Sequence, residues 1–242
     1  MYLENDILTS LDKKFKAIEE KSQTMLSIPE NYFLVVRLDG FHATKKYIKD
    51  SLENKEFRGN FSNAINFTTG GLNTFLESRL PKNFICAFSA NDEVSIIINA
   101  SLEEKAERRL FKICTLLSSV LSINFKPIGV KKEKVFFDAR PLLLENIDEV
   151  HTYLKYRYLL NIRYGYWKVL RLKNNSFPDI DVNHDDIKCN LDNAKNLVIQ
   201  KKLKSDFNIF EQNLIFHYPK YIDDKRKIHT SVFNINTYKK LL

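Results

Sequence analysis

Phe84-Ile-Cys-Ala-Phe88 and Glu93-Val-Ser-Ile-Ile-Ile-Asn99 are two apolar runs that flank the short polar segment Ser89-Ala-Asn-Asp92. β-Branched and aromatic residues are typical of strands, whereas Asn and Asp are favoured in the turns between them. Two strands joined by so short a segment pair as an antiparallel hairpin. The stretch therefore predicts a hairpin, and the segments on either side indicate which sheet contains it.

Strands and helices alternate around this hairpin. Upstream, Tyr32–Leu38 predicts a buried strand that stops at Asp39-Gly40, and Ser62–Leu80 has the pattern of a helix. Downstream, Ser101–Ser122 predicts a long helix and Lys134–Phe137 a fourth strand. The order strand, helix, strand, strand, helix, strand (βαββαβ) is that of the ferredoxin-like fold. We therefore expect an α+β protein.

Three regions are expected along the chain. Residues 1–29 contain an amphipathic N-terminal helix, and residues 30–140 contain the βαββαβ core. Residues 141–242 form a helical and mixed extension, in which Asp148–Leu172 and Asp185–Leu203 have helical patterns and short strands and loops follow. We expect this extension to pack on the core as one unit.

Composition restricts the classes of partner and compartment. The 242 residues carry a formal net charge of +8 and have a pI near 9.2, which favours polyanionic partners such as nucleic acid or nucleotides. Three scattered cysteines argue against a disulfide framework and for a reducing compartment. The N-terminal segment is too charged for a signal peptide, and no apolar run approaches the ~20 residues that span a bilayer. We therefore expect a cytoplasmic protein with no membrane partner.

Acidic residues from distant parts of the sequence meet at one edge of the expected sheet. Asp39 closes the first strand, Asp92 lies in the hairpin turn, and Glu93 follows it. Carboxylates suit Mg²⁺, and two such ions can stabilise the attacking and leaving oxygens of a phosphoryl transfer, as in polymerase palms. The placement favours a polymerase palm with Asp39, Asp92 and Glu93 as catalytic residues, although each motif taken singly also fits an ordinary turn.

Basic and aromatic residues follow the acids. Arg58 lies in a lysine-rich stretch after the first strand and Lys112 on the helix after the hairpin, where each fits either a triphosphate contact or a solvated surface. Along Asp148–Leu172, aromatic residues alternate with cations. Aromatic rings can stack on bases while cations hold phosphates, and core or subunit packing is the alternative for the rings. The candidate RNA contacts are Lys155, Arg157 and Arg163.

Several motifs occur in an order that resembles the tRNA-histidine guanylyltransferase family, including its guanylyltransferase-like branch. Val35-Val-Arg-Leu-Asp-Gly40 is similar to the family's Arg-Leu-Asp-Gly motif, and Ser89-Ala-Asn-Asp-Glu-Val-Ser95 to its Ser-Asp-Glu-Tyr-Ser motif. Arg108-Arg-Leu-Phe-Lys112 and Phe137-Asp-Ala-Arg140 resemble its Arg-Arg-x-Ser-Lys helix and its Phe-Asp-(Ala/Gly/Ser)-Arg segment. The resemblance covers about residues 30–230 and depends on order and spacing rather than on one motif.

This resemblance implies a reaction and a set of site residues. Family members activate an RNA 5′-monophosphate with ATP or GTP; the 3′-hydroxyl of an incoming nucleoside triphosphate then attacks that end, and pyrophosphate is released. Asp39, the Gly40 carbonyl and Asp92 would bind two Mg²⁺ ions, and a homotetramer that acts on tRNA is expected. With Arg58 from the basic stretch, the candidate nucleotide-binding residues are Gly40, Phe41, His42, Arg58, Asn91, Lys112 and Ser118.

Two departures from the family pattern affect the expected reaction. Gly40 runs directly into Phe41-His42, where family members usually have two intervening residues. The His-Ile-Asn-Asn motif that the family links to tRNA-histidine guanylylation is replaced by Asn161-Ile-Arg-Tyr-Gly165. We therefore expect repair of tRNA 5′ ends rather than strict guanylylation. The alternatives are a palm enzyme that acts on free nucleotides and a non-catalytic RNA-binding relative.

Overall fold

The computed structural model describes residues 4–41, 84–90, 93–100, 109–124, 136–173, 179–182, 184–211, 214–222 and 228–234. Within these ranges the helices are α1 (Glu4–Gln23), α2 (Leu110–Asn124), α3 (Ile147–Leu172), α4 (Asp185–Lys188), α5 (Leu191–Gln200) and α6 (Lys204–Glu211). The strands are β1 (Phe33–Gly40), β2 (Phe84–Ala90), β3 (Glu93–Asn99), β4 (Phe137–Leu144), β5 (Leu214–Ile222) and β6 (Ile228–Asn234).

The described strands form one antiparallel sheet in the order β4-β1-β3-β2-β5-β6. β2 and β3 pair as the predicted hairpin, and β1 ends at Gly40, as its sequence indicates. The predicted combination of helices with an antiparallel sheet is therefore confirmed. The C-terminal hairpin of β5 and β6 continues the same sheet on the far side of β2.

Side chains alternate between two apolar layers because successive residues of a strand point to opposite faces of the sheet. Val35 and Ile97 face one layer, which also contains residues of α1, α3 and α5. Val36 and Ile96 face the other layer, which contains α2. Both faces are covered, which explains why the central strands read as continuous apolar runs.

The fourth strand was placed wrongly by its sequence pattern. We predicted Lys134–Phe137, but β4 begins at Phe137 and continues to Leu144 through Pro141. Proline lacks an amide hydrogen and is tolerated in edge strands, where one side of the backbone has no partner strand. β4 is the terminal strand of the described sheet, with β1 on its one paired side, so Pro141 does not interrupt the strand.

The long helix α3 agrees with the predicted Asp148–Leu172, and the side chain of Asn146 caps it by accepting a hydrogen bond from the Glu149 backbone N–H at 2.9 Å. The helix predicted at Asp185–Leu203 is wrong as a continuous element, because α4 ends at Lys188 and α5 begins at Leu191. The Asn190 side chain accepts a hydrogen bond from the Asn193 N–H at 3.0 Å, and this cap starts a new helix where the pattern indicated continuation.

Two predicted elements cannot be compared in full. The helix predicted at Ser62–Leu80 lies outside the described residues, as do the first eight residues of the helix predicted at Ser101–Ser122. Among the helices that the structure describes, none is long and apolar enough to cross a membrane.

Candidate active site

A row of three carboxylates crosses the end of the sheet. Asp39, at the end of β1, is directly opposite Glu93 of β3 on one side and Asp138 of β4 on the other. Residues opposite each other in antiparallel strands point to the same face. The three acids therefore share the face that α1 and α3 cover, and Asp39 and Glu93 are brought together as the sequence predicted.

The next row along the strands carries the compensating positive charge. Arg37 is opposite Ser95 and Arg140. Arg37 forms a salt bridge of 3.0 Å with Glu19 of α1, and Arg140 forms one of 2.9 Å with Asp138. Burial by itself would lower the pKa of Arg140, but the hydrogen bond and the charge of Asp138, with Glu19 and Asp39 nearby, raise it overall. Alternating rows of acids and arginines thus form one electrostatic network at this end of the sheet.

Arg157 of α3 forms an ion pair with Glu93 of β3. Arg157 is 4 % exposed, and its Nη2 donates a hydrogen bond to Glu93 Oε2 within a salt bridge. Burial would lower the pKa of Arg157, but the adjacent Glu93 carboxylate outweighs it, and the pKa is raised well above its ordinary value. Glu93 Oε1 is buried and has no hydrogen-bond partner among the described residues. One oxygen of Glu93 is thus fixed by Arg157, and no described residue satisfies the other.

A second contact fixes the same helix on the same strand. Tyr153 lies one turn before Arg157 on α3, and its hydroxyl is 2.8 Å from Oγ of Ser95, two residues after Glu93. Residues four apart on a helix are about 6 Å apart along its axis, and residues two apart on a strand are about 6.7 Å apart. The two spacings match, so α3 and β3 are joined at consecutive positions on facing surfaces.

Gly40 and Phe41 follow Asp39 at the edge of the sheet. Gly40 is paired with Phe137, and the Phe41 N–H donates a hydrogen bond of 2.7 Å to the carbonyl of Phe136. Phe41 is 62 % exposed. β1 and β4 therefore stay joined up to the turn that the sequence assigned to the triphosphate.

The two α2 candidates lie on the opposite layer. The Ser118 hydroxyl donates a hydrogen bond to the carbonyl of Phe137, the residue paired with Gly40. Ser118 thus supports the backbone beneath the turn. Lys112 is exposed and lies about 9 Å before Ser118 along the helix axis, so the structure does not bring the two side chains together. Nucleotide binding by either residue stays a prediction.

The three candidate RNA contacts differ in exposure. Lys155 is exposed on α3, and Arg163 is half-buried with its Nη1 3.4 Å from the carbonyl of Cys189. Arg157 is buried in its ion pair, so its assignment as an RNA contact is corrected. Its position also carried a signal: in the apolar stripe Val150, Tyr153, Leu154, Arg157 and Leu160, all of which are buried, it is the one cation.

Four predicted site residues lie outside the described residues, so their positions stay predictions. Within the ranges that the structure describes, which exclude Asp92, no group of three or more His, Cys, Asp or Glu side chains could hold a metal ion. Sequence reasoning also missed Glu19, Arg37 and Tyr153, whose roles depend on contacts between elements distant in sequence. The four predicted site residues that lie outside the described residues are His42, Arg58, Asn91 and Asp92.

Named proteins are similar in sequence to this chain, although no family model matches it. It is 26 % identical over 222 residues to the tRNA(His) guanylyltransferase of Saccharomyces cerevisiae, covering 85 % of this chain and 81 % of the relative. It is 26 % identical over 174 residues to the tRNA(His) guanylyltransferase of Candida glabrata, covering 65 % of this chain and 70 % of that relative.

Solved structures give the same fold. The crystal structure of the Saccharomyces cerevisiae enzyme matches with a TM-score of 0.58 at 18 % identity, covering 91 % of this chain and 98 % of that one. A bacterial tRNA(His) guanylyltransferase (Thg1)-like protein in complex with ATP matches with a TM-score of 0.58 at 16 % identity, covering 93 % and 95 %. A bacterial protein of the same description in complex with GTP has a TM-score of 0.52 at 18 % identity, covering 96 % and 97 %.

Proposed function

This chain belongs to the tRNA(His) guanylyltransferase family and is a nucleotidyltransferase, and from that premise we propose that it adds nucleotides in the 3′-to-5′ direction to the 5′ ends of tRNA or tRNA-like RNA. The observation that carries the proposal is the pairing of Asp39 with Glu93 at one edge of the sheet. This pairing supports the proposal because it brings together carboxylates from two motifs that are separate in sequence, as the proposed palm reaction requires.

We propose that the core is a ferredoxin-like palm. Four of its strands have the order β4-β1-β3-β2, which supports this arrangement. The divisions 1–29, 30–140 and 141–242 are proposed to pack as one unit. The continuous sheet from β4 to β6 and the burial of α3 beneath it support that proposal.

The proposed metal ligands are Asp39, the Gly40 carbonyl and Asp92, which would hold two Mg²⁺ ions. The donors at this edge fit a hard cation, because Asp39 and Glu93 are carboxylates in one row and Glu93 keeps a buried oxygen that no described residue satisfies. Bound there, the ions would neutralise triphosphate charge and stabilise the oxygens that attack and leave. Arg37 and Arg140 limit mutual repulsion among the acids and keep the row compact.

The proposed substrates are ATP or GTP and an RNA 5′ end. The RNA 5′-monophosphate would first attack the α-phosphorus of ATP or GTP and release pyrophosphate. The 3′-hydroxyl of the incoming nucleotide would then lose its proton, bond to the RNA 5′ phosphorus and displace the nucleoside monophosphate. Structures of bacterial Thg1-like proteins contain ATP and GTP, which supports nucleotide binding in this fold. Phe41 and Lys112, both exposed, stay candidates for contact with the triphosphate.

End repair is proposed over strict guanylylation. The segment that replaces His-Ile-Asn-Asn is largely used in packing: Asn161 is 8 % exposed and its Nδ2 donates to the Arg157 carbonyl at 2.9 Å, while Ile162 and Gly165 are buried. These residues therefore offer little polar surface for a specific RNA contact. A cytoplasmic tetramer is proposed on the resemblance, and the free thiols of all three cysteines support a reducing compartment.

The test is extension of a labelled tRNA that lacks its first 5′ nucleotide. Wild type with Mg²⁺ and four nucleoside triphosphates should restore the missing nucleotide opposite its template base, and chelation by EDTA should stop the reaction. Asp39→Asn should lower the rate at least about 100-fold, because it removes charge stabilisation at the reacting centre. Asp186→Asn, an exposed position on α4, is the matched control and should match wild type.

Other outcomes would redirect the proposal. Products formed from nucleotides without RNA would indicate a palm enzyme that acts on free nucleotides. RNA binding with no product under any condition would indicate a non-catalytic relative. Addition of guanosine to intact tRNA-histidine alone would contradict end repair.

A further inference from the structure

Arg157 is placed where it can act on the reaction without contacting substrate. Its guanidinium is buried beneath the sheet and forms an ion pair with Glu93, the neighbour of Asp39 across the strands. The cation also lies 5.3 Å from the ring centroid of Tyr156, which faces the same layer. A buried charge without a partner is strongly destabilising, so Arg157 and Glu93 depend on each other.

Contacts on both sides of Arg157 hold α3 in place around the ion pair. Arg157 sits one turn after Tyr153, whose hydrogen bond to Ser95 fixes the height of α3 against β3. The Asn161 side chain bonds the Arg157 carbonyl on the following turn. The guanidinium therefore meets Glu93 from a fixed position, and it holds one carboxylate oxygen while Oε1 keeps no partner among the described residues.

We propose that Arg157 is a positioning residue for nucleotide transfer: it holds the Glu93 carboxylate at the edge of the sheet beside Asp39, with one oxygen directed to the reacting groups. This inference rests on the proposed function, because it gives Glu93 a role in that reaction. It replaces the RNA contact that the sequence suggested, and it assigns the aromatic and basic helix a task inside the protein.

The ion pair predicts a particular pattern of kinetic effects. Displacement of a reacting group by about 1 Å can cost about 100-fold in rate, whereas nucleotide binding need not change. Arg157→Met should therefore lower kcat for 5′-end addition about 100-fold and leave KM for the nucleoside triphosphate within about threefold. Arg157→Lys keeps the charge and should recover part of kcat. Arg171→Met, which removes an exposed cation from the last turn of α3, should match wild type.

A double-mutant cycle separates positioning from general damage. If Arg157 acts through Glu93, adding Arg157→Met to Glu93→Gln should lower kcat no further, because the carboxylate is already absent. Replacing both members of a buried pair also leaves no unpaired charge, so the double variant is expected to fold even where Arg157→Met does not. Circular dichroism and the urea midpoint of each variant establish that it is folded before its kcat is measured.

Each result has a distinct meaning. Equal kcat for wild type and folded Arg157→Met, or independent losses for the two substitutions, would overturn the positioning role while nucleotide addition by wild type still supports the proposed function. A rise in KM with kcat unchanged would also overturn it. An inactive wild type would reject the proposed function, and this inference with it.

Discussion

The hydroxyl of Tyr153 lies 2.8 Å from Oγ of Ser95, buried between α3 and the sheet. Burial raises the pKa of Tyr153 to about 12, so the hydroxyl stays protonated and hydrogen-bonded at neutral pH. The Tyr153 ring packs edge-on against Phe15 of α1 at 5.3 Å. One side chain thus connects α1, α3 and β3.

Tyr153→Phe should lower the free energy of unfolding by about 1–2 kcal/mol, because it leaves the buried Ser95 hydroxyl without its partner. Tyr32→Phe is the control, since the Tyr32 hydroxyl lies 3.4 Å from Glu145 near the surface, and a change below about 0.5 kcal/mol is expected. Urea unfolding of the two variants measures the difference. Equal losses would contradict a special role for the Tyr153 bond.

Lys155→Ala should weaken RNA binding and reduce its dependence on salt. Lys155 is exposed on α3, so it can reach a phosphate that the buried Arg157 cannot. Loss of one phosphate contact lowers the slope of log affinity against log salt by about one unit. Titration of labelled tRNA at several salt concentrations measures this slope. Lys195→Ala removes a cation on α5 that is paired with Glu4 of α1, and it should leave the slope unchanged. Identical slopes for all three proteins would exclude Lys155 from the interface.

The cysteines should differ in reactivity. Burial raises the pKa of Cys86 to about 12 and that of Cys114 to about 11, whereas Cys189 is exposed. Because the thiolate is the reactive form, a maleimide at pH 8 should label one thiol quickly and the other two only after unfolding. Both buried thiols ionise more readily in the unfolded chain, so their contribution to stability is complete below about pH 9 and is lost as pH rises through about 11 for Cys114 and about 12 for Cys86. Mass spectrometry of the labelled protein counts the sites, and fast labelling of Cys86 would contradict its burial.

Asp12 should make the fold sensitive to acid. Burial would raise the pKa of Asp12, but hydrogen bonds with Lys16 and with the Tyr156 hydroxyl, the latter at 2.7 Å, outweigh it and the pKa is lowered. A lowered folded pKa gives stability that is complete above the unfolded value, near 3.8, and is lost as pH falls through the folded value. Asp12→Asn should therefore be less stable than wild type at pH 6, and the difference should shrink below about pH 4. Thermal unfolding across this range measures the difference; one that is constant with pH would show that the charge of Asp12 does not contribute.

Local sequence patterns predicted those elements that are recognisable from their own residues alone. The apolar runs of β1, β2 and β3 and the polar residues at their ends were sufficient for the hairpin and for the end of β1 at Gly40. The position of Asp39 beside Glu93 followed from that topology. By contrast, a proline inside β4 is compatible with the strand only because one side of its backbone has no partner strand, and a pattern along one segment does not contain that information. The cap at Asn190 is a local signal that the apolar periodicity concealed.

The charged residues were harder to interpret for the same reason. Arg157 and Lys155 have similar surroundings in the sequence, but one is buried under β3 and the other is exposed. The apolar stripe around Arg157 indicates burial, but only the arrangement of α3 on the sheet shows that its partner is Glu93. The expected topology put Asp39 and Glu93 at one edge of the sheet, but it did not identify the residue that holds Glu93 in place.

Pro141 has a consequence for how copies of this protein avoid aggregation. An open strand edge with regular N–H donors is a template on which another chain can add a strand. Pro141 interrupts those donors in the middle of β4, and the charged side chains of Asp138 and Arg140 lie beside it. The β4 edge, as far as the structure describes it, is therefore protected against intermolecular sheet extension.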